Sequence, residues 1–224
     1  MDQLIQAQQQ IIEQTQKLMK GQMEKLLTSG LKKNNDLESI APYGKQFQIF
    51  SVPRTWKVKN LGDLCQIITD GSHFSPGKNG EYPLATVENM NMNNNKIDVD
   101  SCYKIDKNDY EYLVKNNCQP KNNDVLFSKD GTIGLCLVYT QSDKIVVLSS
   151  IAIIRTKPDE LDPNFLKYIL KSRYMQIYLA KFKSGTALKR LILKIISEFV
   201  FPLPPKIEEQ QKIVSLLSNV EIKI

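Results

Sequence analysis

Hydrophobic residues recur every seven positions at the start of the chain. Ile5, Ile12, Met19 and Leu26 form one column, and Leu4, Ile11 and Leu18 form the column beside it. Glutamine, lysine and glutamate fill most of the positions between, and all are strong helix formers. The pattern predicts one long helix with a single apolar seam, ending near Ser29-Gly30. The carboxyl end repeats it, with Ile207 and Val214 seven apart, Leu217 and Ile224 seven apart, and Ile213 and Val220 in the adjacent column. Pro202, Pro204 and Pro205 come just before and favour extended backbone, so this second helix can start only after Pro205. Residues 1–30 are therefore expected as a spacer or dimerisation helix and 206–224 as the start of a carboxyl-terminal helical arm. Ile5, Ile12, Met19, Leu26, Val214 and Leu217 are the expected oligomerisation residues. The two helices could pair within the chain, with another copy or with another protein, and a helix docked on its own domain fits the same pattern.

Between the arms the patterns shorten. Residues 31–55 hold no stable period and are punctuated by Pro42, Gly44 and Pro53, which predicts a connector laid against the domain through Phe47, Ile49 and Phe50. From Trp56, short apolar runs at 65–69, 82–86, 124–128, 133–139, 145–150 and 151–155 read as strands, with glycine turns such as Asp70-Gly71 and Asp130-Gly131 between them. The asparagine-rich 91–123 stretch reads as loop, a short helix near 106–115, and loop. LDPNFLKYILKSRYMQIYLAKF reads as one helix, capped by Asp162 with Pro163 in its first turn. A further helix is expected near 187–197. The fold class predicted is α+β: one domain of short strands and helices over residues 56–205, flanked by amphipathic coiled-coil-type helices at both ends.

Composition narrows the chemistry. Four cysteines, at 65, 102, 118 and 136, form no C-x-x-C pair, and His73 is the sole histidine, so a metal site is not expected and a hydrolytic triad could form only through His73, whose neighbour Ser72 would point away from it on a strand. KDGTIG lacks the phosphate-loop spacing, and no G-x-G-x-x-G occurs. No catalytic residue, metal or cofactor is expected. No apolar run reaches the roughly 18 residues of a membrane span, and the amino end lacks a signal-type pattern, so a cytoplasmic location without membrane contact is expected. The net charge of +6 is uneven: +4 over residues 1–60, −4 over 61–160 and +6 over 161–224. A basic segment beside an acidic one can present a positive face to a polyanion.

Three polar loops could meet such a partner. ITDGSHFSP offers Thr69, Ser72, His73 and Ser75 after a strand, although an ordinary capped turn has the same residues. SKDGTIG sets Lys129 and Thr132 around a turn that chain reversal alone would explain. KSGTALKRLILK brings Ser184, Thr186, Lys189 and Arg190 to a basic helix start, which a solvated face also explains. The tyrosines are scattered and form no stacking platform of the single-strand type. Duplex DNA suits these loops better.

In order and spacing these motifs resemble a known family. WKVKNLGDL at 56–64 followed by ITDGSH at 68–73 resembles the opening of a target-recognition domain in the DNA specificity subunits of type I restriction–modification enzymes. DVLFSKDGTIG at 124–134 is similar to the central signature of such domains, and SGTALKRLILKIISEFVFPLPPKIEEQQKIVSLL at 184–217 to their closing one. QIIEQTQKLMKGQMEKLLTSGL resembles the end of their spacer helix. The resemblance implies a non-catalytic reader of one half of a split duplex DNA sequence. Modification (methyltransferase) subunits would carry the S-adenosylmethionine chemistry, and a restriction (motor-nuclease) subunit would join for cleavage. Two recognition domains are usual and one is found here, which implies a half-size form that pairs with a second copy or another half subunit, or else a fragment. An assembly or decoy module that binds modification subunits and reads no DNA is the other function implied. Base-reading residues differ from one such domain to the next, so Ser72, His73, Lys129, Thr132, Ser184, Thr186, Lys189 and Arg190 are DNA-binding candidates on physical grounds alone.

Overall fold

A computed structural model describes residues 2–31, 36–40, 50–74, 76–77, 79–183 and 190–221. Helix α1 (Asp2–Ser29) opens the chain. It ends where Gly30 turns to φ 72°, lying so close to the Trp56 ring that a Cβ would sit 3.0 Å from its Cζ2. Any other residue there would be strained twice, by the left-handed backbone and by the indole. Strands β1 (Leu37–Ile40) and β2 (Phe50–Pro53) then pair antiparallel, and an Arg54–Asp36 ion pair of 2.7 Å closes their base. The expected connector thus contains paired strands. Its contacts through Phe47 and Ile49 lie outside the described residues, and so does the Phe50 side chain.

Strand β3 (Lys57–Asn60) leads through a 3-10 turn at Gly62–Leu64 into β4 (Cys65–Asp70). Next come β5 (Tyr82–Ala85), β6 (Met90–Asn91), β7 (Lys96–Ile97) and β8 (Tyr103–Ile105), then helix α2 (Lys107–Lys115). The Asp106 carboxylate caps α2 by accepting from the Asp109 amide at 2.9 Å. Strands β9 (Val125–Ser128), β10 (Cys136–Val138), β11 (Val146–Val147) and β12 (Ile151–Thr156) follow.

The centre is a four-stranded antiparallel sheet in the order β10-β9-β12-β4. Its inner strands read as unbroken apolar runs because both faces are covered. Val125, Phe127, Cys136, Val138, Ala152 and Ile154 point into the main core with the long helices. Leu126, Leu137, Ile151 and Ile153 point into a second core with Ala85, Met90 and Ile97. A three-stranded sheet, β11-β5-β8, stands beside it.

The predicted single helix over 163–183 is two. Helix α3 (Pro163–Lys171) and α4 (Arg173–Lys183) meet at Ser172, whose ψ of 152° leaves the helix. The Ser172 hydroxyl donates back to the Ile169 carbonyl at 2.6 Å and accepts from the Met175 amide at 3.4 Å. Ser172 thus closes one helix and caps the next, a competition with the helical ladder that serine wins where buried contacts turn the chain. The helix expected near 187–197 shrinks to α5 (Leu193–Ser197), with 184–189 outside the described residues. Strand β13 (Val200–Leu203) pairs antiparallel with β3, setting Pro202 opposite Val58. A proline is tolerated in this two-stranded ribbon because it interrupts no central ladder.

Helix α6 (Ile207–Glu221) follows the prolines. Its buried Gln210 accepts from the Asp162 amide at 3.0 Å and donates to the Glu160 carbonyl at 2.9 Å, fixing α6 to the start of α3. Of the alternatives left open for the end helices, contact within the chain is the one seen. Ile213 and Leu217 are buried with Met23 and Leu27 of α1 in the main core, and Met19, Leu26 and Val214 pack against it. Met19, Leu26, Val214 and Leu217 are therefore engaged within the chain. Ile5 and Ile12 stay exposed, as do Leu4, Ile11 and Leu18. The seam splits because only the second half of α1 reaches the domain. No helix among the described residues is long and apolar enough to cross a membrane.

Candidate nucleic-acid interface

The antiparallel central sheet puts the end of β4, the end of β9 and the start of β12 at one edge: Ala152 stands opposite Asp70, and Ile151 opposite Ser128. Three distant segments meet there. The turn after β4 is seated by backbone hydrogen bonds, Ser72 N–H to the Val147 carbonyl and Ser149 N–H to the Ser72 carbonyl, both 2.9 Å. A Cβ on Gly71 would fall 1.9 Å from the Val147 oxygen, so only glycine permits that approach. The turn after β9 is held by the Ser128 hydroxyl, which donates to the Thr132 carbonyl at 2.5 Å and accepts from the Leu135 amide at 2.8 Å. The third segment joins through Leu191, whose N–H donates to the Lys129 carbonyl at 2.8 Å, and through a bridge between Asp130 and Arg190.

The side chains extend this into a chain of charges. Asp70 faces His73 Nε2 at 3.0 Å and Lys129 Nζ at 3.1 Å. Lys129 also reaches Asp130 at 3.5 Å, and Asp130 accepts from Arg190 Nε at 2.9 Å. The middle is sheltered, with the Lys129 side chain 4% exposed, while the ends open to solvent, His73 at 70% and Arg190 at 56%. The hydrogen bond to Asp130 and its negative charge push the Arg190 guanidinium above its usual range, so it is a permanent cation.

Beside His73 lies a cleft of about 240 Å³ between the turn and α2, lined by residues 69–74 and by Tyr112, Leu113, Asn116 and Cys118. At its mouth Phe74 and Tyr112 meet edge-to-face with ring centroids 5.9 Å apart. Burial, reinforced by Asp70, pushes the Cys118 thiol up to about 11, which makes it a poor nucleophile near neutrality. Among the described residues no group of three metal-ligating side chains occurs.

The family model of the type I restriction modification DNA specificity domain matches residues 53–224, the edge just described included. The chain belongs to that family. Specificity domains of this kind are non-catalytic, and the family is defined by DNA specificity. Over 184 residues the chain is 23% identical to the putative type I restriction enzyme MjaX specificity subunit of Methanocaldococcus jannaschii, which covers 79% of this chain and 42% of the relative. Over 218 residues it is 23% identical to the MjaVIII specificity subunit of the same organism, covering 94% and 48%. The fold is similar to the crystal structure of the HsdS subunit from Thermoanaerobacter tengcongensis, with a TM-score of 0.64 at 18% identity over 99% of this chain and 47% of that one. A structure described as the structural basis underlying complex assembly and conformational transition of the type I R-M system gives 0.65 at 19% identity, over 99% and 48%. The chain spans about half the length of the curated relatives it matches.

Within this specificity domain the sequence-derived candidates fall into three groups. His73, Thr132 and Arg190 are exposed at the edge. Ser72 and Lys129 are there too, but buried. The Ser72 hydroxyl donates to the Phe74 carbonyl at 2.6 Å, and Lys129 is held between two carboxylates. Both shape the edge from beneath, with polar atoms satisfied inside the chain. Ser184, Thr186 and Lys189 lie outside the described residues, as does Ser75. Arg190 sits in a bridge to Asp130 and not on the expected basic helix. Phe74, Tyr112 and the acidic partners Asp70 and Asp130 were missed. The exposed aromatic after ITDGSH was the available signal for Phe74; the 38 residues separating it from Tyr112 hid the pair.

Proposed function

We propose that this chain reads a particular duplex DNA sequence as the specificity component of a type I restriction–modification complex, acting in the cytoplasm to bring methyltransferase and nuclease subunits to that sequence. The observation that carries the reading is the meeting of the 70–74, 128–134 and 190–191 segments at one sheet edge, with His73 and Arg190 exposed at its two ends. Rigid strands aim the turns, and the turns supply the groups that face outward, a division suited to recognition on a fixed scaffold. Arg190 suits a phosphate oxygen or a guanine edge. His73 and Thr132 add donors and acceptors beside it. The family and the net charge of +6 support the same partner.

The exposed apolar residues of α1 (Leu4, Ile5, Ile11, Ile12 and Leu18) support a role in assembly, since such a seam is stabilised by a facing helix. We assign that seam to modification subunits and to a second copy or another half subunit. Two copies related by a twofold axis would read an interrupted palindrome.

Methylation mapping with the matching modification subunit, with and without this chain, tests the reading. Methylation confined to one motif and dependent on the chain is the expected result. An identical pattern without the chain sinks it. Capture of the modification subunit with no sequence preference would identify the assembly module that reads no DNA.

A further inference from the structure

Phe74 and Tyr112 lie outside the buried cores. Both rings are large and open to solvent, Phe74 at 42% and Tyr112 at 56%. Neither belongs to any of the three buried clusters. Exposed apolar side chains are common singly, but these two meet edge-to-face at 5.9 Å from segments 38 residues apart. Their supports are stiff. Phe74 follows directly on the seated Gly71-Ser72 turn, and its own N–H donates to the Ser72 hydroxyl at 3.3 Å. Tyr112 stands on the capped helix α2, whose last turn is tied by Asn116 donating to the Tyr112 carbonyl at 2.8 Å. Two rings presented on rigid supports bind with little ordering entropy to lose.

The surroundings say what they face. The pair borders the cleft that His73 lines, and His73 begins the chain of charges ending at Arg190. An apolar spot beside the exposed, hydrogen-bonding imidazole of His73 fits the one apolar group on a DNA base edge, the thymine C5-methyl in the major groove, for which phenylalanine is a known class of contact. The mainly apolar rings offer hydrogen bonding only through the Tyr112 hydroxyl, so the contact would select a methyl over a polar edge.

We propose that Phe74, buttressed by Tyr112, is a specificity-determining residue that reads a thymine methyl at one position of the DNA target. This rests on the duplex-reading function above and names a part of it. The test uses the full chain with its matching modification subunit and a randomised duplex library, followed by the selected duplex with each thymine replaced in turn by uracil, which removes only the methyl. At one position uracil should weaken binding by roughly fourfold, the order expected for one methyl group withdrawn from apolar contact. Phe74→Ala should lose preference at that same position, show no further loss with uracil, and keep the wild-type salt dependence. Tyr112→Ala should give a smaller change of the same kind. Uracil tolerated at every position, or a Phe74→Ala variant that selects the wild-type motif or weakens all duplexes equally, would overturn the proposal while leaving the duplex-reading function standing. A wild-type complex with no sequence preference would end both. The uracil series needs no variant, so a misfolded substitution cannot obscure the result.

Discussion

Strands β4, β9 and β12 run from one end of the central sheet to the other, and the two ends treat charge in opposite ways. At the first, Asp124 and Arg155 form a bidentate pair, Nε–Oδ1 at 2.8 Å and Nη2–Oδ2 at 2.7 Å. Asp124 is 1% exposed and also accepts from the Lys121 amide at 2.7 Å, so little of its hydrogen-bonding capacity is left over. At the second end, Asp70, Lys129 and Asp130 form an open series that stops at two exposed side chains, His73 and Arg190. The closed pair holds strands together. The open series holds turns together and leaves its outermost groups available. Burial and count decide the difference: two charges that match can be sealed, whereas a run of alternating charges has ends that must meet solvent or a ligand.

The sharpest way to break the comparison is at the sealed end. Asp124→Ala leaves Arg155 charged and without its partner, and should destabilise the fold by about 4 kcal/mol, read as a lower denaturation midpoint. A loss below about 1 kcal/mol would mean that Arg155 finds water readily and the end is not sealed. At the open end, Lys129→Met leaves Asp70 and Asp130 facing each other, with an expected loss of about 3 kcal/mol. Adding Asp70→Asn should restore part of it, since residues in one network couple by about 0.5–3 kcal/mol. Strict additivity of the two changes would show that no network exists.

Alkali probes the sealed end again. Cys65, paired with Thr156 across the sheet, has its thiol pushed up to about 12, first by burial and with Lys157 opposing. The unfolded thiol ionises near 9 while the folded one keeps its proton. The folded state thus binds more protons above that pH, so its contribution is complete below about pH 9 and is lost as pH rises toward 12. A Cys65→Ala variant should show a flatter alkaline limb in a stability–pH profile. An unchanged limb would assign the loss to other groups, such as Tyr139, also pushed up to about 12 by burial.

The smallest effect on stability should come from Arg190→Ala, because the side chain is exposed and solvent screens its ion pair. Its effect belongs to binding: weaker duplex affinity and a salt slope reduced by about one. Unchanged affinity together with an unchanged slope would remove Arg190 from the interface.

Local pattern was enough for much of the framework. The apolar runs at 65–69, 124–128 and 151–155 became β4, β9 and β12, since continuous hydrophobicity bounded by glycine turns has few other solutions. Asp162-Pro163 marked the start of α3 for a purely local reason, a side chain accepting the first free amides. The ribbon of β3 with β13 was invisible: KVKN is exposed throughout and its partner carries Pro202, so neither has a strand signature of its own. The break at Ser172 escaped because serine is tolerated within helices, and only packing revealed that the chain turns there.

By itself, then, the order of residues determined the helices at the two ends, the apolar strands, and the spacing of motifs shared with type I specificity domains. Those are properties of neighbours in the chain, where periodicity and backbone chemistry act over a few residues. Tertiary structure alone decided which half of α1 is buried, that Lys129 is a hidden brace and Arg190 an exposed end, and that Phe74 meets Tyr112. Each depends on segments tens of residues apart, and what a side chain presents to solvent is set by the partners that fold against it.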